Sequence, residues 1–340
     1  YKGDNMATKV AINGFGRIGR NFFRQAMKSD TVEVIAINDL TDVNTLAHLL
    51  KYDSTHGVLP NNVNSLDNTI LVDSAEIPVF SLPNPQDLPW KELGVDVVLE
   101  STGRFLKNEQ ALQHVIAGAK KVIISAPSPD AKTIVLGVND DVIADEDFVF
   151  SNASCTTNCL APMAKVINDN FGIKSGYITT THAFTADQSL QDMPHKDLRR
   201  ARSAMNSIIP TKTGAASAVG KVLPSLNGKL DGIALRVPVA CGSITDFVCI
   251  TEKQTTSDEV NNFLKDASNT SMQGVLAVSN EPLVSIDIVG RKESSIIDAE
   301  LTKVDGNLIK LVSWYDNESG YSARLIDLCS LIVEKKLSKI

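Results

Sequence analysis

Short apolar runs alternate with stretches of helical composition through the first half of the chain. Lys9-Val10-Ala11-Ile12-Asn13 leads into a glycine-rich turn, and residues 20–28 then have helical composition. Residues 32–37, 96–100 and 121–125 are further apolar runs, with a helix expected over 108–120 between the last two. Strands alternating with helices imply βαβ units and a parallel sheet. Runs that are apolar throughout fit strands covered on both faces. Pro83, Pro85 and Pro89 make residues 80–89 read as a surface connection.

The character changes around Ser151. Residues 155–170 read as a helix stopped near Gly172. Longer runs follow at 177–184, 233–239, 244–251, 296–301 and 308–315, and polar residues recur in them. One wet face is therefore expected, on a mostly antiparallel sheet with few helices between strands. Residues 187–207 are charged and irregular. At the end, Leu325, Leu328, Cys329 and Ile332 fall at helical spacing within 319–335. Neither an internal repeat nor a low-complexity tract is visible.

Composition narrows the class. A chain of 340 residues with 43% hydrophobic and 21% charged residues is long enough for about two globular domains. Its 33 basic and 40 acidic residues give a net charge of -7, which argues against general nucleic-acid binding. No apolar run approaches the roughly 18 residues of a membrane span. Residues 1–9 lack the apolar core of a signal peptide. Met6 stands where a natural start is expected, so residues 1–5 are left out of the fold reading. Five cysteines, an odd number, read as reduced thiols in the cytoplasm.

Gly14-Phe15-Gly16-Arg17-Ile18-Gly19 sits between a strand and a helix. There the first glycine permits a tight turn and the second lets a pyrophosphate approach the backbone. The third lets helix and strand pack closely. The helix start supplies free N–H groups for phosphates. The same pattern also occurs as an ordinary strand–helix connection. Asp39, 20 residues after Gly19, stands where a carboxylate accepts hydrogen bonds from ribose hydroxyls and repels a 2′-phosphate, which favours NAD over NADP. A turn cap at Asn38-Asp39 is the competing reading.

In Ser151-Asn152-Ala153-Ser154-Cys155-Thr156-Thr157-Asn158-Cys159, Ser154 is a candidate N-cap that puts Cys155 in the first helical turn. Helix-start N–H groups and the macrodipole there favour a thiolate. Cys155 and Cys159 could be small buried residues. Alternatively, Cys155 is a nucleophile with a distant histidine as base. With no second cysteine pair and no close histidine pair, zinc is not expected. Spacing alone does not choose among His48, His56, His114, His182 and His195.

Taken together, these motifs resemble the phosphorylating glyceraldehyde-3-phosphate dehydrogenase family. The resemblance runs from Lys9 to the C-terminus. It is carried by the glycine turn, Tyr52-Asp53-Ser54-Thr55-His56-Gly57, Glu100-Ser101-Thr102-Gly103 and the Cys155 motif. Thr181-His182-Ala183-Phe184-Thr185, Thr213-Gly214-Ala215-Ala216, Leu235-Arg236-Val237-Pro238 and Trp314-Tyr315-Asp316-Asn317-Glu318 complete it. The resemblance implies an α/β chain with a Rossmann-type, parallel-sheet NAD-binding domain over 6–154, joined by a C-terminal helix over 319–340. It implies an α+β catalytic domain with a mostly antiparallel sheet over 155–318.

It further implies oxidation of glyceraldehyde 3-phosphate with NAD and inorganic phosphate. Cys155 would form a thiohemiacetal and His182 would take its proton. Thr185 and Arg236 would bind the substrate phosphate. Ser154, Thr156, Thr213, Gly214 and Arg200 would approach the attacking phosphate. Arg17 and Ile18 would lie at the cofactor phosphates, Asp39 at the ribose, Ser125 near the nicotinamide half and Asn317 at its carboxamide. A cytoplasmic homotetramer is expected, needing no nucleic acid, with residues 184–207 at a subunit interface. Pro83 departs from the family, which often carries a basic residue there near the adenosine. Asp187 is not assigned to phosphate, which a carboxylate repels. Met193-Pro194 and Asp39-Leu40 fit NAD preference. The rival readings are an erythrose-4-phosphate or aspartate-semialdehyde type of dehydrogenase, and an adhesin-like binding protein on the same fold.

Overall fold

The alternating first half forms one sheet and the second half another. The computed structural model describes residues 7–337. These group into two units: residues 7–134, 141–153 and 322–337 in the first, and 135–140 with 154–321 in the second. The expected domain start at Met6 and the last three residues of the expected C-terminal helix lie outside the described residues.

In the first unit the strand order is Lys132–Thr133, Val149–Ser151, Lys121–Ile124, Val97–Glu100, Thr8–Asn13, Val32–Asn38, Ala75–Phe80, Thr69–Val72 and Val63–Leu66. The ladders are parallel from the first strand of this order to Ala75–Phe80. The last two are antiparallel. Ile12, Ile37, Leu99 and Ile123 are fully buried, as expected of strands covered on both faces. From Thr8–Asn13 the chain first builds outward through Val32–Asn38. It then returns to lay Val97–Glu100 on the other side. That reversal opens a crevice at the carboxyl ends of the strands, the general ligand position in such sheets.

Two local expectations change. The hairpin strands between residues 63 and 80 were not read from the sequence. Their turns hold Asp67 at φ 49° and Asp73 at φ 51°, and Asp-Asn and Asp-Ser are turn signals of the left-handed region that flanks hairpins. Residues 80–89 are not a simple surface connection. Leu88 and then Trp90, at the start of the helix Trp90–Leu93, are buried in the core with Val98, Ala111 and Val122. An apolar anchor outweighs the proline signal there.

In the second unit the helix Cys155–Phe171 starts where Ser154 Oγ accepts the Thr157 N–H at 3.0 Å. It stops at Gly172, whose φ of 69° few other residues adopt. The sheet order is Ile209–Lys212, Leu230–Val237, Ile173–Ala183, Ser243–Thr251, Leu308–Tyr315, Ser295–Asp298 and Leu276–Ser279, with Lys303–Asp305 paired beside Leu308–Tyr315. Two ladders are parallel and the rest antiparallel. The strand expected at 177–184 begins earlier, at Ile173. The run at 296–301 divides into the strand Ser295–Asp298 and a short 3-10 turn, Ala299–Leu301. Residues 187–207 contain no helix or strand.

Register sorts this sheet into two faces. Ile178, Thr180 and His182 share one with Phe247, Thr245, Ser243, Leu311, Ser313 and Tyr315. That face is buried, and the helix Cys155–Phe171 packs on four of the sheet's strands. Tyr177, Ile233, Ile250 and Leu308 occupy the opposite face and are 42–70% exposed. The final helix, Ser319–Leu337, buries Leu325, Leu328, Cys329 and Ile332. Among the described residues no helix is long and apolar enough to cross a membrane.

Candidate active site

Side-chain alternation brings the nucleophile candidate to its base. His182 is the last-but-one residue of the strand Ile173–Ala183 and points to the buried face, over which Cys155 opens the covering helix. Cys155 Sγ lies 3.3 Å from His182 Nε2. Burial pushes the Cys155 thiol up. Arg236, the Thr156 hydroxyl and N–H, and the Cys155 N–H all pull it back. Burial and then Arg236 lower His182 to about 3. Burial thus disfavours charge on both groups, while Arg236 and the helix-start N–H groups favour the thiolate of Cys155.

Arg236 stands directly opposite His182 in a parallel ladder. Its Nη1 lies 2.7 Å from His182 Nδ1 and donates to Ala183 O at 2.8 Å. Its Nε is buried and makes no hydrogen bond among the described residues. Arg200 also raises the local positive field felt by His182 and Arg236. Its guanidinium is held by Asp187 Oδ2 at 2.5 Å and Thr211 Oγ1 at 2.9 Å. Arg202 pairs with Asp192 at the surface. Thr213 Oγ1 accepts the Ala215 N–H, and Gly214 precedes the helix Ala215–Val222, facing open space. Such a helix start favours anions.

In the first unit the three glycines divide their tasks. Gly14 has φ 95°, and a Cβ there would sit 2.6 Å from Thr102 N. A Cβ on Gly19 would sit 2.3 Å from Gly14 O, whereas one on Gly16 would meet nothing within 4 Å. Gly16 borders a cleft of about 260 Å³ lined also by Asn38, Asp39, Pro83, Thr102 and Arg104. Asp39 accepts the Phe15 N–H at 2.7 Å and the Thr41 N–H at 2.9 Å. It is both a turn cap and the clamp on the glycine turn, and it remains half-exposed at the cleft.

Residues 154–317 match the family described as glyceraldehyde 3-phosphate dehydrogenase, C-terminal domain. Residues 8–108 match its NAD binding domain. The chain is 57% identical over 335 residues to glyceraldehyde-3-phosphate dehydrogenase of Geobacillus stearothermophilus, covering 98% of this chain and 100% of that protein. It belongs to the glyceraldehyde-3-phosphate dehydrogenase family. Glyceraldehyde-3-phosphate dehydrogenase 1 of Bacillus subtilis strain 168 is 55% identical, over 98% of this chain and all of its own length. The Mycolicibacterium smegmatis glyceraldehyde-3-phosphate dehydrogenase is 54% identical, over 96% of this chain and 99% of its own.

As a member of the glyceraldehyde-3-phosphate dehydrogenase family, the chain carries the NAD-binding segment that holds the glycine turn and Asp39. The structure brings Cys155, His182 and Arg236 together. Arg17 of that turn reaches Asp53 at 2.7 Å. Burial of Asp53 is outweighed by the N–H groups of His56 and Thr55 and by Arg17, which bring it to about 2. Ile18 is half-buried in the first helical turn, and Ser125 follows the strand Lys121–Ile124, its N–H on Glu100 O. Thr185 is half-buried just beyond the His182 strand. The Thr156 hydroxyl bonds inward to Tyr315 at 3.0 Å, so its backbone is what remains for an anion. Pro83 lines the cleft.

The other histidines separate on contact. His114 is buried between Trp90 Nε1 and Glu100 Oε2, His48 meets Tyr52 with the rings tilted by 45°, the His56 N–H donates to Asp53 Oδ1, and His195 meets Asp187. Two contributors escaped the sequence reading. The Tyr315 hydroxyl joins Thr156 to Thr180, and its ring meets His182 edge-on at 5.9 Å. Ser243 Oγ accepts the Ala183 N–H and donates to Asn317 Oδ1. Both are strand residues whose alternation is visible in sequence, but whose partners lie on other strands.

Proposed function

We propose that this chain oxidises glyceraldehyde 3-phosphate with NAD and inorganic phosphate to 1,3-bisphosphoglycerate through a thioester on Cys155. The observation that carries this reading is the 3.3 Å approach of Cys155 Sγ to His182 Nε2 beside Arg236. The sulfur attacks the aldehyde carbon as its proton passes by way of His182 to the carbonyl oxygen, giving a thiohemiacetal and leaving His182 neutral. His182 then takes the hydroxyl proton, so that hydride can leave the same carbon. NAD, when bound, accepts that hydride. The carbon is left as a thioester, whose acyl group stays activated for attack by phosphate. Positioned proton transfer of this kind contributes roughly 10²–10⁴-fold.

The remaining residues are assigned by what they offer. Arg236, with its unpartnered Nε, and Thr185 hold the substrate phosphate. Ser154, Thr156, Thr213, Gly214 and Arg200 hold the attacking phosphate through helix-start N–H groups and a guanidinium. Gly14, Gly16, Gly19, Arg17 and Ile18 form the pyrophosphate turn, Asp39 takes the ribose and Ser125 faces the nicotinamide half. With its Oδ1 committed to Ser243, Asn317 keeps its Nδ2 to donate to the carboxamide oxygen. The catalytic role falls to the second unit, residues 135–140 and 154–321, and the cofactor role to the first, residues 7–134, 141–153 and 322–337. The exposed Tyr177, Ile233, Ile250 and Leu308 on one sheet face suit burial between subunits of a homotetramer. Five free thiols suit the reducing cytoplasm.

The test is NADH formation from glyceraldehyde 3-phosphate with and without inorganic phosphate, with NADP in parallel and Cys155→Ser as control. Sustained phosphate-dependent turnover with NAD, absent in the variant, is expected. A single burst indifferent to phosphate would remove the phosphorolysis step. No NADH at all would remove the substrate assignment.

A further inference from the structure

Glu100, Asn13 and Asn38 end three neighbouring strands of the first sheet, and each immediately precedes a residue that lines the cofactor cleft: Ser101, Gly14 and Asp39. All three are at most 5% exposed, and their polar atoms form one relay. Asn13 Nδ2 donates to Glu100 Oε2 at 2.6 Å, and Asn38 Nδ2 donates to Asn13 Oδ1 at 2.7 Å. The same Asn38 amide donates to Leu82 O at 3.0 Å and accepts the Leu82 N–H at 2.9 Å. At the other carboxylate oxygen, Glu100 Oε1 accepts the Thr102 N–H at 2.9 Å and the Thr102 hydroxyl. Trp90 Nε1 can only donate, so His114 Nδ1 accepts from it at 3.0 Å and Nε2 turns its proton to Glu100 Oε2 at 3.1 Å.

The direction of this relay is set at Glu100. A carboxylate only accepts, so Asn13 presents its Nδ2 to it and its Oδ1 to Asn38. Asn38 in turn keeps its Nδ2 toward Asn13 and its Oδ1 for the Leu82 N–H. Either amide turned over would set donor against donor. Leu82 and Pro83 line one side of the cleft and Thr102 another. Leu82 belongs to no helix or strand, so the Asn38 amide stands in for a ladder partner. Among the described residues no lysine or arginine pairs with Glu100. A carboxylate buried without a cation is a poor source of stability, which favours a role in ordering what surrounds it. We propose that Glu100 is a positioning residue for the cofactor: one oxygen holds the Thr102 wall of the cleft, and the other holds the Leu82-Pro83 wall by way of Asn13 and Asn38. The inference rests on the reading of this cleft as the NAD site. Walls set in advance spare the cofactor the cost of ordering them on binding.

Glu100→Gln in the full chain keeps the shape but leaves one acceptor oxygen where four donors converge, so one wall must let go. Calorimetry with NAD is expected to show binding about tenfold weaker than the parent's, while kcat at saturating NAD and the thermal midpoint stay at the parent's values. Hydrogen exchange without cofactor is expected to quicken at the Leu82 or the Thr102 amide and to stay unchanged at Ile12 and Ile37 in the strands. Unchanged affinity overturns the inference and leaves the NAD reading standing. So does weaker binding with both amides as protected as before, or a thermal midpoint that falls together with the affinity, which would make Glu100 a residue of stability alone. A parent that binds no NAD overturns the NAD reading and the inference with it. If the variant does not fold, the parent decides. Its Leu82 amide, outside any strand, is expected to exchange roughly a hundredfold slower than an open loop amide, and exchange at the open rate overturns the inference.

Discussion

Ser243 Oγ donates to Asn317 Oδ1 at 2.9 Å while accepting the Ala183 N–H at 3.0 Å. One fully buried hydroxyl thus fixes the amide of Asn317 and ties it to the strand end that carries His182. Because the serine proton is spent on Oδ1, the amide cannot turn over without losing a hydrogen bond. Ser243→Ala is expected to weaken NAD binding about fivefold, the worth of roughly 1 kcal/mol in orientation. Quenching of intrinsic fluorescence by added NAD gives the affinity. An unchanged value would mean that Asn317 is held by its backbone alone.

Stability should depend on His182 in acid. Burial and Arg236 lower it to about 3, whereas an unfolded histidine titrates near ~6.5. Between those values the unfolded chain binds the proton and the folded chain does not. Stability is therefore fully present above ~6.5 and falls as the pH drops toward 3, by at most about 1.4 kcal/mol per pH unit. Asp53, held at about 2, adds the same sign below ~4. His182→Gln is expected to lose about 1–2 kcal/mol less than the parent between pH 6.5 and pH 5, since glutamine does not titrate. Urea unfolding at the two pH values measures this, and parallel losses would argue that other groups dominate.

The glycine turn separates folding from binding. A Cβ on Gly19 would strike Gly14 O, while one on Gly16 would enter the open cleft. Gly19→Ala should cost roughly 1–3 kcal/mol of stability through overpacking. Gly16→Val should fold normally yet lose about tenfold or more in NAD affinity, because the backbone can no longer approach a pyrophosphate. Thermal unfolding and NAD titration of both variants check the pair. If Gly16→Val bound NAD as well as the parent, the turn would be an ordinary strand–helix connection.

Asp39 combines two duties that substitution can split. Its carboxylate clamps Phe15 and Thr41 through their N–H groups. Its charge also opposes a 2′-phosphate. Asp39→Asn removes the charge and keeps one acceptor oxygen, so the kcat/KM ratio of NADP to NAD should rise about tenfold. The discriminating result is that ratio, not the absolute rate, which the weakened clamp lowers for both cofactors. A constant ratio would assign Asp39 to the clamp alone.

The amino-acid sequence by itself determined what depends on a few neighbouring residues. Ser154 and Gly172 mark the two ends of the Cys155 helix, because a hydroxyl acceptor and a left-handed glycine act within one turn of the residues they cap. Gly14, Gly16 and Gly19 announced the strand–turn–helix, and apolar runs announced the parallel strands, because backbone period and turn chemistry are local. Asp67 and Asp73 carried the same kind of signal for a hairpin that went unread. Spacing did not choose which of five histidines meets Cys155; resemblance named His182, and the tertiary structure brought it there. His182 comes from 27 residues away, Arg236 from 54 residues beyond His182, and Tyr315 from 135 residues beyond Thr180. Their meeting depends on the register of ladders between distant strands and on the face that a helix covers. A strand's own alternation says only that a residue points up or down. Pairing to a neighbour fixes which side chains it points toward, and that pairing is a property of the packed sheet as a whole.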